Sequence, residues 1–449
     1  MGLKILFGAI FILILLTSGI KAQVTFVSST EIISVSNKTD ISDLRMLNSN
    51  VFRIEGNVCH LEKPIRVEAS GIFSISSETC DILQMYPGTF MIIRGEIYFN
   101  NILVTSFDPY TQKPIPISKE TYANSRPFIS TEYPAKYFYA ENSEFSHLGY
   151  YHGIENGSKW GLALYDTPKA KIINSRLHHN YFGLYTFNAS HLVVADSEVY
   201  DNLEYGLDFH DYSDNHWIIN NEIYRNGNHG IIYSKYCDNN TIIGNLVRDN
   251  NTTVFVKGED RNYGTHGIML HKDSTYNKII NNTVINNVVG IYLEESDYNL
   301  VEGNNVINDN SHGIYISRSN NNSLLHNLVA NSNGYSIYSY YSYDNSYANN
   351  NLSDLAYVKT EYKGQNYSLE GNTPSISPSD KGSEDLVNIR KESQVSGDKN
   401  ESLSIFGITD KLLLTKIFLI VGLIAVAIVI IFFESIVLLV RGRRDGSDD

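Results

Sequence analysis

Six short stretches decide the fold: GLYTFN (Gly183–Asn188), GLDFHD (Gly206–Asp211), GIIYSK (Gly230–Lys235), GIMLHK (Gly267–Lys272), GIYLEE (Gly290–Glu295) and GIYISR (Gly313–Arg318). Each opens with glycine, and successive glycines lie 23, 24, 37, 23 and 23 residues apart. The long gap is one period plus an insertion at Thr252–Tyr263. A second strand-like run follows each, as in HWIINNEIY (His216–Tyr224) and NSLLHNLV (Asn322–Val329). A fixed period in the twenties with short strands and Asn/Gly turns signals a solenoid. The leucine spacing of leucine-rich repeats is absent, as are helical runs. The sequence therefore predicts an all-β parallel β-helix with coils of about 23 residues stacked at ~4.8 Å. Asparagine recurs at Asn202, Asn226, Asn250, Asn287 and Asn310, where stacked amides can form ladders.

Outward from these coils the repeat fades. WGLALYD (Trp160–Asp166) is a weaker copy, and residues 24–130 read as a strand-rich N-terminal cap with the first coils. The regular coils span 131–360, followed by a polar, flexible stalk at 361–411. Residues 412–440 contain the apolar run Ile417–Val440, long enough for a transmembrane helix, and Arg441, Arg443 and Arg444 begin a short cytoplasmic tail at 441–449. At the other end, Lys4, the apolar Ile5–Leu16 and Ala22 read as a signal peptide over 1–23. The expectation is a single-pass cell-surface protein, a monomer, with its β-helix outside the cytoplasm. Sequons such as Asn188, Asn239, Asn281, Asn321 and Asn351 are compatible with that. Cys59 and Cys80 are spaced to bridge in an exported protein, leaving Cys237 single.

The 449 residues carry a formal charge of -14, with 32 Tyr against 2 Trp. This balance excludes a generic nucleic-acid binder, which leaves a basic footprint. No metal-ligand spacing of Cys and His occurs, so neither a metal nor a cofactor is expected.

Alternation along a strand sends the first and third residues after each glycine inward and the second and fourth outward. One coil then stands out. Asp208 and His210 share the outward face, Asp211 follows, Lys235 lies one coil above, and Lys272 one further. A carboxylate beside an imidazole suits a general base near neutral pH, and nearby cations stabilise developing negative charge. Tyr185 precedes Asp208 in the same column and is expected to be exposed beside it.

The run YGLDFHDYSDNHWIINNEIY (Tyr205–Tyr224) with HGIIYSKYCDN (His229–Asn239) resembles the right-handed parallel β-helix mannuronan C5-epimerases of the periplasmic, calcium-independent type, which implies a right-handed parallel β-helix here. Their hallmark is Asp-Pro-His-Asp followed one coil later by His-Gly-Ile-Ile-x-Ser-Arg. SHLGY (Ser146–Tyr150), FGLYTF (Phe182–Phe187), GIYLEESDYNLVEGN (Gly290–Asn304) and HGIYISRSNN (His312–Asn321) extend the likeness over about residues 100–345. The resemblance implies His210 as base, Asp208 as its partner and Lys235 as the cation neutralising a uronate carboxylate. Asp211, Tyr185, His229, His271, Lys272 and Arg318 are the expected substrate-binding residues, with an anionic polysaccharide running over Lys235, Lys272 and Arg318. Two positions depart from the hallmark: Phe209 replaces proline and Lys235 replaces arginine, which loses the bidentate fork. Calcium-binding nonapeptides are absent. A uronan lyase of the same fold and a non-catalytic glycan-binding or envelope β-helix are the competing expectations; a third is a β-helix accessory protein for metal delivery, as in copper-enzyme maturation, which no Met- or Cys-rich motif supports.

Overall fold

The computed structural model describes residues 24–116, 126–150, 159–250 and 265–352, together with the backbone of strands Ala356–Thr360 and Asp385–Ile389. The expected signal peptide, the Thr252–Tyr263 insertion, the transmembrane run and the cytoplasmic tail lie outside the described residues. Among the described residues, no helix is long and apolar enough to cross a membrane.

Strands stack in register into three sheets of 15, 12 and 13 strands among the described residues, each sheet receiving one strand per coil. All pairings between the coils are parallel, as in a parallel β-helix. The site coil contributes Leu207–His210 to the first sheet, Trp217–Ile219 to the second and Glu222–Tyr224 to the third. The second strand expected from sequence is thus two strands. Asn220 takes a left-handed φ of 53°, and the buried Asn221 makes the corner between them.

Alternation places the inner residues as expected. Leu207, Phe209, Ile231, Tyr233, Ile268, Leu270, Ile291, Leu293, Ile314 and Ile316 are fully buried in one continuous core. Burial of each such side chain stabilises the fold by about 1.5–3 kcal/mol. The glycine that starts each repeat is required by close approach: a Cβ on Gly206 would lie 2.6 Å from the Gly230 carbonyl oxygen of the next coil.

Asparagine ladders run up all three corners. At the third-to-first corner, Asn202, Asn226 and Asn250 are linked amide to amide, and each carbonyl oxygen also accepts the backbone N–H of the coil below. Asp309, not Asn310, continues this ladder, accepting the Asn287 N–H at 2.9 Å. The equivalent series Asn221–Asn245–Asn282–Asn304–Asn327–Asn350 marks the second corner, and His216–Asn240–Asn277–Asn299–Asn322–Asn345 marks the first. Each amide satisfies buried backbone groups that water cannot reach.

At the N-terminal end, the hairpins Val24–Val27/Ile32–Val35 and Phe52–Glu55/Val58–Leu61 are antiparallel, and a short 3-10 helix, Ile41–Met46, is capped by Asp40. Cys59 and Cys80 form a disulfide there, and Cys237 is free and buried. Asp385–Ile389, inside the stretch read as a stalk, pairs antiparallel with Ala356–Thr360, so that stretch contains a strand.

Candidate active site

The first sheet carries the site because its outward columns hold the titratable residues. One column runs Phe187, His210, Ser234, His271, Glu294, Ser317. The parallel column two residues earlier runs Tyr185, Asp208, Ile232, Met269, Tyr292, Tyr315.

His210 is half-buried, and its Nδ1 donates to Asp211 Oδ2. The Asp211 carboxylate also lies 3.8 Å from Lys235 Nζ on the next coil. This corrects the expected pairing: the carboxylate in contact with the imidazole is Asp211, the residue that turns out of the strand, rather than Asp208. Fixing Nδ1 as the donor leaves Nε2 with the lone pair, the form a base requires.

Asp208 occupies a different environment. It is 4% exposed, and desolvation pushes its carboxyl up to about 6, reinforced by Asp211 and opposed by His210 and Lys235. Beside it, Tyr185 is buried rather than exposed, in a cluster with Ala163, Tyr181 and Phe182 on the outside of the sheet. Burial and the charge of Asp208 push the Tyr185 hydroxyl well above the ordinary tyrosine range. Tyr165, pushed up to about 12 mainly by burial, is hydrogen-bonded to Tyr185. Alternation correctly names the outer face, but it does not reveal that a second aromatic layer covers part of that face.

His229 is likewise removed from the substrate-facing set. It is buried, stacks on His266 at 4.8 Å, and its Nδ1 accepts the His266 backbone N–H at 3.0 Å. Burial, with His266 and His271 adding to it, keeps its pKa well below the ordinary histidine value. His271 stays on the face: Nδ1 is 3.0 Å from Ser234 Oγ and Nε2 is 3.7 Å from Glu294. Its pKa is lowered to about 4 by desolvation and then by Lys272, so it is neutral at pH 7.

Lys272 is exposed one coil above Lys235, as expected. Arg318 differs: its guanidinium is committed to Glu294 and Glu295, both at 2.8 Å. The cationic row therefore comprises Lys235 and Lys272 and is closed by two carboxylates on the following coil. Ser234 and Glu294 are contacts that sequence reasoning missed, although both stand in the His210 column of the repeat.

The turn leaving this strand is longer in three successive coils than in the coils flanking them. Six positions lead from His210 to His216, from Ser234 to Asn240 and from His271 to Asn277, residues that share one corner. Five lead from Phe187 to Leu192, from Glu294 to Asn299 and from Ser317 to Asn322. The extra residue produces two successive left-handed residues: Asp211 and Tyr212 (φ 36° and 60°), Lys235 and Tyr236 (67° and 58°), Lys272 and Asp273 (48° and 56°). Each such non-glycine conformation costs on the order of 1 kcal/mol, and strain of this kind concentrates at functional sites. The 24-residue spacing from Gly206 to Gly230 is its trace in the sequence.

His210, Lys235 and Lys272 sit on the outer face of the first sheet. A polar recess of about 440 Å³ lies elsewhere, at the corner of the second and third sheets, lined by Asn142, Glu144, Arg176 and Glu198 among others. It shares no residue with the His210 site.

Two family models match the chain: "Right handed beta helix region" over residues 135–267, and "Periplasmic copper-binding protein (NosD)" over 260–376. Among the described residues, no three His, Cys, Asp or Glu side chains converge as metal ligands. Cys237 is buried, and its thiol pKa is pushed up by desolvation. The chain is 28% identical over 183 residues to the mannuronan C5-epimerase of Pseudomonas aeruginosa, covering 38% of this chain and 32% of that protein. The Pseudomonas syringae pv. tomato enzyme of the same name is 29% identical over 159 residues, covering 33% and 29%. The matched segment thus spans about a third of the length of these relatives. Among solved structures, the periplasmic alginate epimerase AlgG superposes with a TM-score of 0.66 at 22% identity, covering 76% of this chain and 84% of that one. That likeness shows the fold, a right-handed parallel β-helix, in agreement with the family model over residues 135–267.

Proposed function

We propose that the chain is a polyuronate C5-epimerase acting on a mannuronan-like polysaccharide, with His210 as the base. The observation that carries the reading is the His210 imidazole held through Nδ1 by Asp211, with Lys235 on the next coil beside the same carboxylate. Its counterpart in sequence is the likeness to proteins named mannuronan C5-epimerase.

In this reading His210 Nε2 takes the proton from C5 of a uronate residue. The electron pair of the C–H bond passes into the carboxylate, which gains a second negative charge. Lys235 neutralises that carboxylate, so the charge develops next to a fixed cation. The buried Asp208 attracts His210, and this attraction favours the imidazolium that forms as the proton arrives. Water returns a proton to the opposite face of C5, inverting it while every glycosidic bond remains, and the hydroxide left behind takes up the proton that the His210 imidazolium releases to solvent. A lyase would begin in the same way but would expel the C4 oxygen and leave an unsaturated end. The outer strand face suits a polymer better than a small substrate, because a uronan rises about as much per sugar as the sheet does per coil.

The proposal extends to the whole chain: a signal peptide at 1–23, a cap and first coils at 24–130, β-helix coils at 131–360, a polar connector at 361–411, a transmembrane helix at 412–440 and a cytoplasmic tail at 441–449. The protein would be a cell-surface monomer. The test is reaction with oligomannuronate in heavy water: deuterium at C5 without unsaturated ends is expected. Unsaturated ends would make it a lyase, and the absence of exchange with any uronan would leave a glycan-binding protein.

A further inference from the structure

The extra residue in three successive turns places aromatic side chains where the fold has no need of them. In two of these turns it is tyrosine, Tyr212 immediately after Asp211 and Tyr236 immediately after Lys235. Both are exposed, 55% and 46%, so burial does not account for them. Both have positive φ, a conformation that asparagine or glycine adopts more readily than a bulky residue. Their backbones are nevertheless fixed: Tyr212 N–H donates to the Lys235 carbonyl at 3.2 Å, and Tyr236 N–H to the Lys272 carbonyl at 3.0 Å. The rings stack at 5.3 Å with a 12° interplanar angle. Stacking covers one face of each ring and leaves the rest of the pair exposed, one ring per coil.

We infer that Tyr212 and Tyr236 form a sugar-positioning lip along the His210 site. Resting on the epimerase reading for its substrate class, the inference assigns them to two successive pyranoses of a uronan. The ring edges wall the chain against the strand face, and the phenol hydroxyls bond sugar hydroxyls at a spacing near one sugar per coil. The extra residue occurs in the coils of His210, Lys235 and Lys272, and it is absent from the flanking Asn188 and Glu295 coils. The lip thus coincides with the base and both cations. In the third of these turns the extra residue is Asp273, so the aromatic lip is two coils long.

The experiment uses the full chain and oligomannuronates of defined length, measuring Kd directly and KM and kcat by deuterium exchange. The double variant Tyr212→Ala/Tyr236→Ala is expected to raise Kd and KM about tenfold or more while kcat stays within about twofold, the pattern of lost uniform binding. Tyr212→Phe/Tyr236→Phe, which keeps the wall and loses the hydroxyls, is expected to raise Kd by about fivefold. Tyr110→Ala, which removes a tyrosine that is 95% exposed on a distant coil, is expected to change neither. Unchanged Kd and KM in the double alanine variant, or a fall in kcat alone, would overturn the lip while wild-type exchange left the epimerase reading intact. Wild-type binding without exchange, weakened by the same variants, would support the lip and end the epimerase reading. A wild-type chain that binds no oligomannuronate would overturn both.

Discussion

Asp208→Asn is expected to make the protein more stable at neutral pH and a poorer catalyst. Asp208 is buried, and its carboxyl pKa is raised from 3.8 to about 6, desolvation being the main cause and Asp211 adding to it. A folded-state pKa above the unfolded one means that the native state binds the proton more tightly. The contribution to stability is therefore fully present below about pH 4 and is lost as the pH rises through about 6. At ~1.36 kcal/mol per pH unit, ionising Asp208 in place costs about 3 kcal/mol by pH 7. Asparagine has nearly the same shape and no charge, so most of that cost disappears. The assay is urea unfolding of wild type and variant at pH 4 and pH 7.5, with amide exchange in Leu207–His210 as the local readout. The expected gain is about 2–3 kcal/mol at pH 7.5, shrinking toward zero at pH 4. A gain of equal size at both pH values, or destabilisation at pH 7.5, would refute the reasoning. C5 exchange should fall in the same variant, because the charge favouring the His210 imidazolium is gone.

His210→Ala is expected to abolish C5 deuterium exchange while circular dichroism and melting temperature stay near wild type, since His210 is at the surface of the sheet; retained exchange would remove it as base. Lys235→Ala should lower kcat/KM by about a hundredfold, whereas Lys235→Arg should retain or raise it by restoring a bidentate partner for the carboxylate. Asn245→Ala should destabilise by about 2–4 kcal/mol in urea unfolding, because it orphans the Asn221 N–H and amide and the Ile218 carbonyl within the core.

The parts of the molecule that repeat were legible in the sequence. Gly206 to Gly313 set the coil length, and the residues one and three beyond each glycine line the core as alternation requires. Lys235 falls one coil above Asp211 for the same reason. What escaped was anything determined across coils or above the sheet. Tyr185 and His229 were expected to face substrate, but neighbours on other coils cover them, Trp160 and Tyr165 in one case and Tyr205 and His266 in the other. Arg318 appeared as a cation because its partners, Glu294 and Glu295, are contributed by the preceding coil. Asp211 in place of Asp208 as the imidazole's partner depended on a left-handed turn that alternation cannot describe. Asp309 in place of Asn310 is a one-residue slip of the same origin: the ladder selects the corner position, whichever amide or acid occupies it.

The antiparallel strands at the ends of the first sheet have a consequence for assembly. A stack of identical coils is, in polymer terms, a living chain: each exposed sheet edge is a template for another coil, including one from a second molecule. Val24–Val27 at one end and Asp385–Ile389 at the other are antiparallel to their neighbours. Each folds back along the strand beside it instead of leading into a further coil, and so covers that strand's outer edge. These two strands act as end caps, occupying the edges at which the coil-on-coil pairing of the first sheet would otherwise continue.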